Sequence, residues 1–174
     1  AMTEIALGPN AISVMAIAAA GSMYDPSAFY YMKKISTGPE AADAIDVDLS
    51  VEENINNVAK AKNKSVRDIT VVVLDRPRHD DLQAAIREAG AKVRLIADGD
   101  VAGAVAAAKH GNSVDLMMGI GGTPEGIITA VAMRCMGGAI QGRLWPKTDE
   151  EIARAKSGKF DTDKVLHTND LCST

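Results

Sequence analysis

The sequence predicts an α/β domain with a mostly parallel sheet flanked by helices, and three observations predict it. Three short apolar runs lie within one stretch of the chain: Val71-Val72-Val73-Leu74, Val93-Arg94-Leu95-Ile96 and Leu116-Met117-Met118-Gly119-Ile120. Each empties into a short polar loop: Asp75-Arg76-Pro77-Arg78-His79, Asp98-Gly99-Asp100 and Gly121-Gly122-Thr123-Pro124-Glu125-Gly126. Each loop leads into a segment that reads as helix. Strand, loop and helix in repetition is the pattern of parallel strands joined by crossover helices. Right-handed crossovers bring the three loops to one edge, at the carboxyl ends of the strands.

Composition narrows the function classes. The 174 residues are enough for one domain with a substantial core, and 47% of them are hydrophobic. Aromatics make up only 3%, and the net charge is -4 with no long basic run. Both features argue against a nucleic-acid partner, which would need stacking platforms or a basic surface. Cys135 and Cys172 are too few and too far apart for a zinc site or a disulfide framework, so they read as reduced thiols of a cytoplasmic protein. The apolar run 11–21 follows Pro9 and Asn10 without a basic segment, so it reads as a buried strand and not as a leader. No run is long enough to span a membrane.

The elements follow in order. Ala1-Met2 has the look of a cloning scar, and residues 1–9 as a whole fit no element. Residues 12–18 read as a strand, Asp25-Pro26-Ser27 as a turn, and 29–35 as a neighbouring strand closed by Gly38-Pro39. Ser50 with Glu53 three residues on forms a capping box, opening a helix over 51–62. Ser65 to Asp68 is a second such pattern or a turn before the strand at Ile69. Residues 79–89 are amphipathic, with Gly90 at the C-cap. Asp100 is placed to cap an Ala-rich helix over 101–109, and Thr123 to cap a helix over 124–136 that starts on proline. Residues 139–145 read as a further strand, and Thr148 with Glu151 as a third capping box.

Three loops carry side chains suited to chemistry. Arg76-Pro77-Arg78 places two cations on a loop stiffened by proline, and guanidinium forks match phosphate oxygens; the plain alternative is two solvated arginines. His79 is a candidate acid-base group or, as the plain alternative, a helix-start histidine without a partner. Asp98-Gly99-Asp100 offers two carboxylates to a cation or to sugar hydroxyls, or a turn aspartate followed by an N-cap. The glycines of 119–122 allow backbone amides to close on an anion at a helix start, with Glu125 in the first turn as a dipole-stabilising residue or a metal ligand. The spacing is neither a dinucleotide fingerprint nor a P-loop.

With these residues in hand the chain resembles the class II fructose-1,6-bisphosphatases, bacterial metal-dependent sugar phosphatases of the lithium-sensitive phosphatase superfamily. The resemblance runs through Leu74-Asp75-Arg76-Pro77-Arg78-His79, Asp98-Gly99-Asp100-Val101-Ala102 and the 119–126 segment, and extends from Asn10 to Leu166. Tyr24-Asp25-Pro26-Ser27-Ala28 looks most like actinobacterial members. The resemblance implies a layered sugar-phosphatase-type fold that hydrolyses the 1-phosphate of fructose 1,6-bisphosphate with Mn2+ or Mg2+. Sedoheptulose 1,7-bisphosphate or another sugar or inositol phosphate is the alternative substrate. It implies that Tyr31, Arg76, Pro77, Arg78, Asp98, Gly99, Asp100 and Gly122 hold the substrate and that Glu125 is a metal ligand. It also implies a cytoplasmic homo-oligomer, dimer or tetramer. Members are roughly twice this length, and their N-terminal half carries two acidic segments that supply most metal ligands. Residues 1–9 are then a scar or the end of that half, with Thr3 the one catalytic candidate among them. Residues 10–174 are the substrate-binding domain, incomplete at both ends, and a catalytically incomplete binding or assembly fragment is the other reading.

Overall fold

The structure, a computed structural model, describes residues 13–158 and 160–174. Its strands are β1 (Tyr31–Thr37), β2 (Thr70–Leu74), β3 (Lys92–Ile96), β4 (Leu116–Gly122), β5 (Ala139–Leu144) and β6 (Leu166–His167). Its helices are α1 (Val51–Ala61), α2 (Asp80–Glu88), α3 (Asp100–Ala108), α4 (Thr123–Met136), α5 (Asp149–Lys156) and the single turn α6 (Thr168–Leu171). The strands form one sheet in the order β3-β2-β4-β1-β5-β6.

The α/β class stands, but the sheet is mixed. β2 pairs in parallel with β3 and with β4, while β1 is antiparallel to both β4 and β5, and β6 to β5. The expected parallel trio is therefore present. The departure comes from β1, which inserts between β4 and β5 and runs against both. That insertion also removes the expected strand at 12–18. Both edges of β1 are occupied, so no ladder remains beside it for an upstream partner. Residues 13–18 form no strand, with Met15 and Ile17 84% and 79% exposed; Ile12 lies outside the described residues. The neighbouring strand begins at Tyr31, not at Phe29, whose ring is buried in the core.

Alternation along the strands builds two cores. Val72, Met117 and Met32 face α3, α4 and α6, with Ala104, Ala107, Ala130 and Met133. Val71, Val73, Leu116, Met118 and Ile35 face α1 and α2, with Ile55, Val58 and Ile86. Burial on both faces is why β2 reads as an unbroken apolar run. Two capping boxes form as their sequences require: Ser50 with Glu53 on α1, and Thr148 with Glu151 on α5. Ser65 to Asp68 becomes a 3-10 turn at Val66–Asp68.

Two expected caps do not form. The residue before α3 is Gly99, in the left-handed region (φ 85°), and Asp100 is already helical. The residue before α4 is Gly122, and Thr123 is likewise inside its helix. Each acid or hydroxyl is one position too late to cap and is free for other partners. No helix among the described residues is long and apolar enough to cross a membrane.

Candidate functional site

Strand direction decides what meets at the carboxyl edge. β2, β3 and β4 end there. β1 is antiparallel, so it starts there, with Tyr31 opposite Gly122. β5 ends there too, with Leu144 opposite Met32. The edge thus gathers residues from five strand termini, where the crossover argument required three.

Tyr31 is at its middle. The Arg78 guanidinium lies 5.5 Å from the Tyr31 ring centroid and the Lys147 ammonium 5.0 Å, distances at which ring faces attract cations. Trp145 and Tyr30 pack edge-on at 6.3 and 4.9 Å. Arg78 donates from Nε (3.1 Å) and Nη2 (2.9 Å) to the Ile120 carbonyl. Arg76 donates from Nη1 to the Asp75 and Ala97 carbonyls, tying the β2 loop to the β3 loop. Pro77 opens the 3-10 turn Pro77–His79 that turns Arg78 toward β4.

Asp98 and Asp100 separate in role. The Asp98 carboxylate accepts the Gly99 N–H at 2.9 Å, closing the loop on itself. Asp100 is buried and pairs with Lys34 of β1 at 2.5 Å. Lys34 also donates to the Gly122 carbonyl at 3.1 Å. A buried pair of this kind is a fixed pair and not a loose cation ligand, because either partner alone is costly to bury. The expected carboxylate pair around Gly99 is thus one loop acid and one half of an ion pair.

The first turn of α4 holds two unpaired oxygens. Thr123 Oγ1 and Glu125 Oε2 are buried without a hydrogen-bond partner among the described residues. The Glu125 carboxylate folds back on Gly122 so closely that a Cβ there would collide with it. A side chain at Gly122 would therefore displace the Glu125 carboxylate from this place. An orphaned carboxylate oxygen at that place fits a cation. It does not make a metal centre alone: among the described residues no group of three His, Cys, Asp or Glu side chains is arranged to hold an ion.

Three members of this edge are not marked in the sequence, and a fourth, His79, is marked without its partners. Lys34 stands in the run 29–35 with no motif around it, yet it is 6% exposed. Lys147 and Trp145 lie where β5 gives way to α5, a stretch without a motif. His79 reads as unpartnered, yet both its ring nitrogens are engaged. Its Nδ1 lies 2.8 Å from the Leu74 carbonyl and its Nε2 accepts the Ile120 N–H at 2.8 Å. Only a protonated nitrogen pairs with a carbonyl, so the ring is neutral with its hydrogen on Nδ1. Burial pulls its pKa below the ordinary histidine value; the Leu74 carbonyl opposes this, and the Arg78 charge adds to it. Thr3 lies outside the described residues.

An α/β sheet whose carboxyl edge combines arginines, a glycine-gated helix N-terminus and an orphaned glutamate is of the class suited to an anion held beside a cation. Comparison with known proteins narrows that class. A family described as bacterial fructose-1,6-bisphosphatase, glpX-encoded, matches residues 3–174, so the chain belongs to this family of phosphoric monoester hydrolases. It is 45% identical over 141 residues to a D-fructose 1,6-bisphosphatase class 2/sedoheptulose 1,7-bisphosphatase of Synechocystis sp., covering 80% of this chain and 41% of that one. A protein of the same description from Microcystis aeruginosa matches to the same extent. One from Synechococcus elongatus is 38% identical over 178 residues, covering 95% of this chain and 51% of the relative. The chain spans about half the length of the curated relatives it matches, or somewhat less.

Proposed function

We propose that this chain supplies the substrate-binding half of an enzyme that hydrolyses the 1-phosphate of fructose 1,6-bisphosphate to fructose 6-phosphate. The carrying observation is the pair of orphaned oxygens on Thr123 and Glu125, in the helix turn that follows Gly122, the residue opposite Tyr31 in the β1/β4 register. Buried polar atoms are ordinarily satisfied; two in one turn, at the strand end that also receives Arg78 on the Ile120 carbonyl, are what a site built for a phosphate and a cation leaves behind. In this reading Arg76, Arg78 and the α4 N-terminus hold phosphate. Pro77 sets the angle of Arg78, and Asp98, Gly99 and Asp100 line the sugar. Tyr31 and Gly122 bound the reacting end. Glu125 gives one oxygen to Mn2+ or Mg2+, whose charge would offset that of the phosphoryl oxygens when bound. The remaining ligands come from outside the described residues. The protein works in the cytoplasm as a homo-oligomer.

The test is phosphate release from fructose 1,6-bisphosphate with manganese, on protein of confirmed mass. Chelator-sensitive release supports the reading. Sedoheptulose 1,7-bisphosphate run beside it decides the sugar. The missing carboxylate cluster among the described residues favours a second reading for the 174 residues by themselves: a domain that binds sugar phosphate without turning it over. Calorimetric binding of fructose 1,6-bisphosphate with no phosphate release would select that reading; absence of both would remove the site.

A further inference from the structure

We infer that His79 is a positioning residue for Arg78, acting through the Ile120 peptide; the inference rests on the proposed function, in which Arg78 holds substrate phosphate. β2 and β4 pair directly only at Val71 with Leu116 and Val72 with Met117. Beyond that the two strands share no ladder, and the His79 ring fills the gap. It takes the Leu74 carbonyl on one side and the Ile120 N–H on the other, each at 2.8 Å. The same residue, Ile120, offers its carbonyl to Arg78 at 2.9 and 3.1 Å. One residue of β4 is therefore gripped at both its backbone groups by adjacent residues of one loop. Its backbone sets where the guanidinium stands.

Gly119 shows how closely this is built. Its φ is +148°, and a Cβ there would lie 3.1 Å from His79 Cε1 and Nε2. The backbone lies against the ring in a conformation that disfavours side chains. The ring itself is 1% exposed, so water does not replace either bond.

Protonation breaks the arrangement in a defined way. A second ring N–H would face the Ile120 N–H, donor against donor, and the Ile120 backbone must turn or withdraw. Its carbonyl, and with it Arg78, then loses its fixed place. Arg76 and Arg78 act on the ring from its own loop, and Lys33 and Lys34 of β1 line the cavity of about 140 Å³ that borders it. Asp80 and Asp81 follow on α2, but no carboxylate among the described residues lines that cavity. The surrounding charge thus favours the neutral ring. Substrate affinity should be full above the ordinary histidine pKa and fall below it, through KM and not through kcat.

The experiment compares wild type, His79→Gln, His79→Phe and Arg78→Ala in the full-length enzyme, measuring kcat and KM for fructose 1,6-bisphosphate about two pH units either side of the ordinary histidine value. Glutamine keeps an acceptor for the Ile120 N–H and cannot titrate in this range. We expect it to hold KM within about threefold of wild type at neutral pH and to lose the acid rise, while phenylalanine raises KM about tenfold at every pH. The difference between wild type and His79→Gln removes the ionisation of the substrate itself. A glutamine variant that keeps the full acid rise, or that matches phenylalanine, overturns the inference. An unchanged KM in Arg78→Ala removes Arg78 from the substrate and overturns the parent reading with it; an Arg78 effect without a His79 effect overturns this inference alone. Should the variants fail to fold, imidazole 15N shifts of the wild type decide: hydrogen on Nδ1 with a bare Nε2 bonded to Ile120 is expected, and hydrogen on Nε2 overturns it.

Discussion

The two ends of β4 each have a buried aspartate served by lysine, and they are built differently. At the amino end Asp115, fully buried, takes Lys64 at 2.6 Å, Lys62 at 3.2 Å and the Thr70 N–H at 3.0 Å. Its backbone is also engaged, the carbonyl by Thr37 Oγ1 and the N–H by the Thr70 carbonyl. Burial alone would raise this carboxyl, but the two ammonium groups and the Thr70 amide outweigh it and hold the pKa below the ordinary value. At the carboxyl end Asp100 has one lysine, Lys34, which is shared with Gly122 beside the orphaned oxygens. The first end is closed on itself. The second is closed only in part, and the part left open faces the edge where ligands of open α/β sheets bind.

Under the proposed function that contrast would divide stability from recognition between the two ends, and variants can break it. Asp115→Ala strands two ammonium groups and an amide, so it should cost about 3 kcal/mol, read as a lower urea midpoint, with fructose 1,6-bisphosphate affinity unchanged in the folded fraction. An affinity loss equal to that of a carboxyl-edge variant would erase the distinction. Arg78→Ala should raise KM about tenfold, near 1.4 kcal/mol, while thermal stability stays put. Replacing Lys34 and Asp100 together by Met and Leu removes both charges at once, and such swaps are often close to neutral, within about 1 kcal/mol. We expect near-normal unfolding with affinity reduced about tenfold.

Acid sharpens the comparison further. The Asp115 contribution is fully present above the ordinary aspartate pKa and is lost as pH falls through its lower native value. The share held by buried, neutral His79 is present above the ordinary histidine pKa and declines as pH falls below it. Acid unfolding should therefore have a component near neutrality that His79→Gln removes and a later one that Asp115→Asn removes. The smallest effect belongs to neither end: Ser50→Ala deletes the α1 cap and should cost about 1 kcal/mol, with no change in binding.

How much of this is readable in the chain follows from how local each signal is. The capping boxes at Ser50 and Thr148 are contained in four residues and are legible. So are the β2 and β4 runs, because burial on both faces leaves its mark in the chain itself, and β3, a half-exposed edge strand, is legible only as a short apolar run between a glycine turn and a polar loop. The place of β1 is not, since its partners lie far downstream and nothing in Tyr31 to Thr37 states its direction. Lys34 is illegible for the same reason: the residue that neutralises it, Asp100, lies on another loop. The partners of His79 cannot be read at all, because both are backbone atoms, and backbone has no letter.

The central position of β1 has a consequence for how the chain is made. Its two neighbours are translated long after it: β4 begins opposite Thr37 at Leu116, and β5 reaches Met32 only with Leu144. At about 5–20 residues per second, a partner some 110 residues downstream leaves β1 with open edges for roughly 5–20 seconds. A bare strand is a template for wrong pairing, and charge is the usual guard. Lys33 and Lys34 stand within β1 and can serve as that guard before they become partners of the Val47 carbonyl and of Asp100. A ribosome-stalled chain ending before Leu116, and so without either neighbour, should leave β1 exchanging its amide hydrogens freely; protection there would mean that the strand finds another partner first.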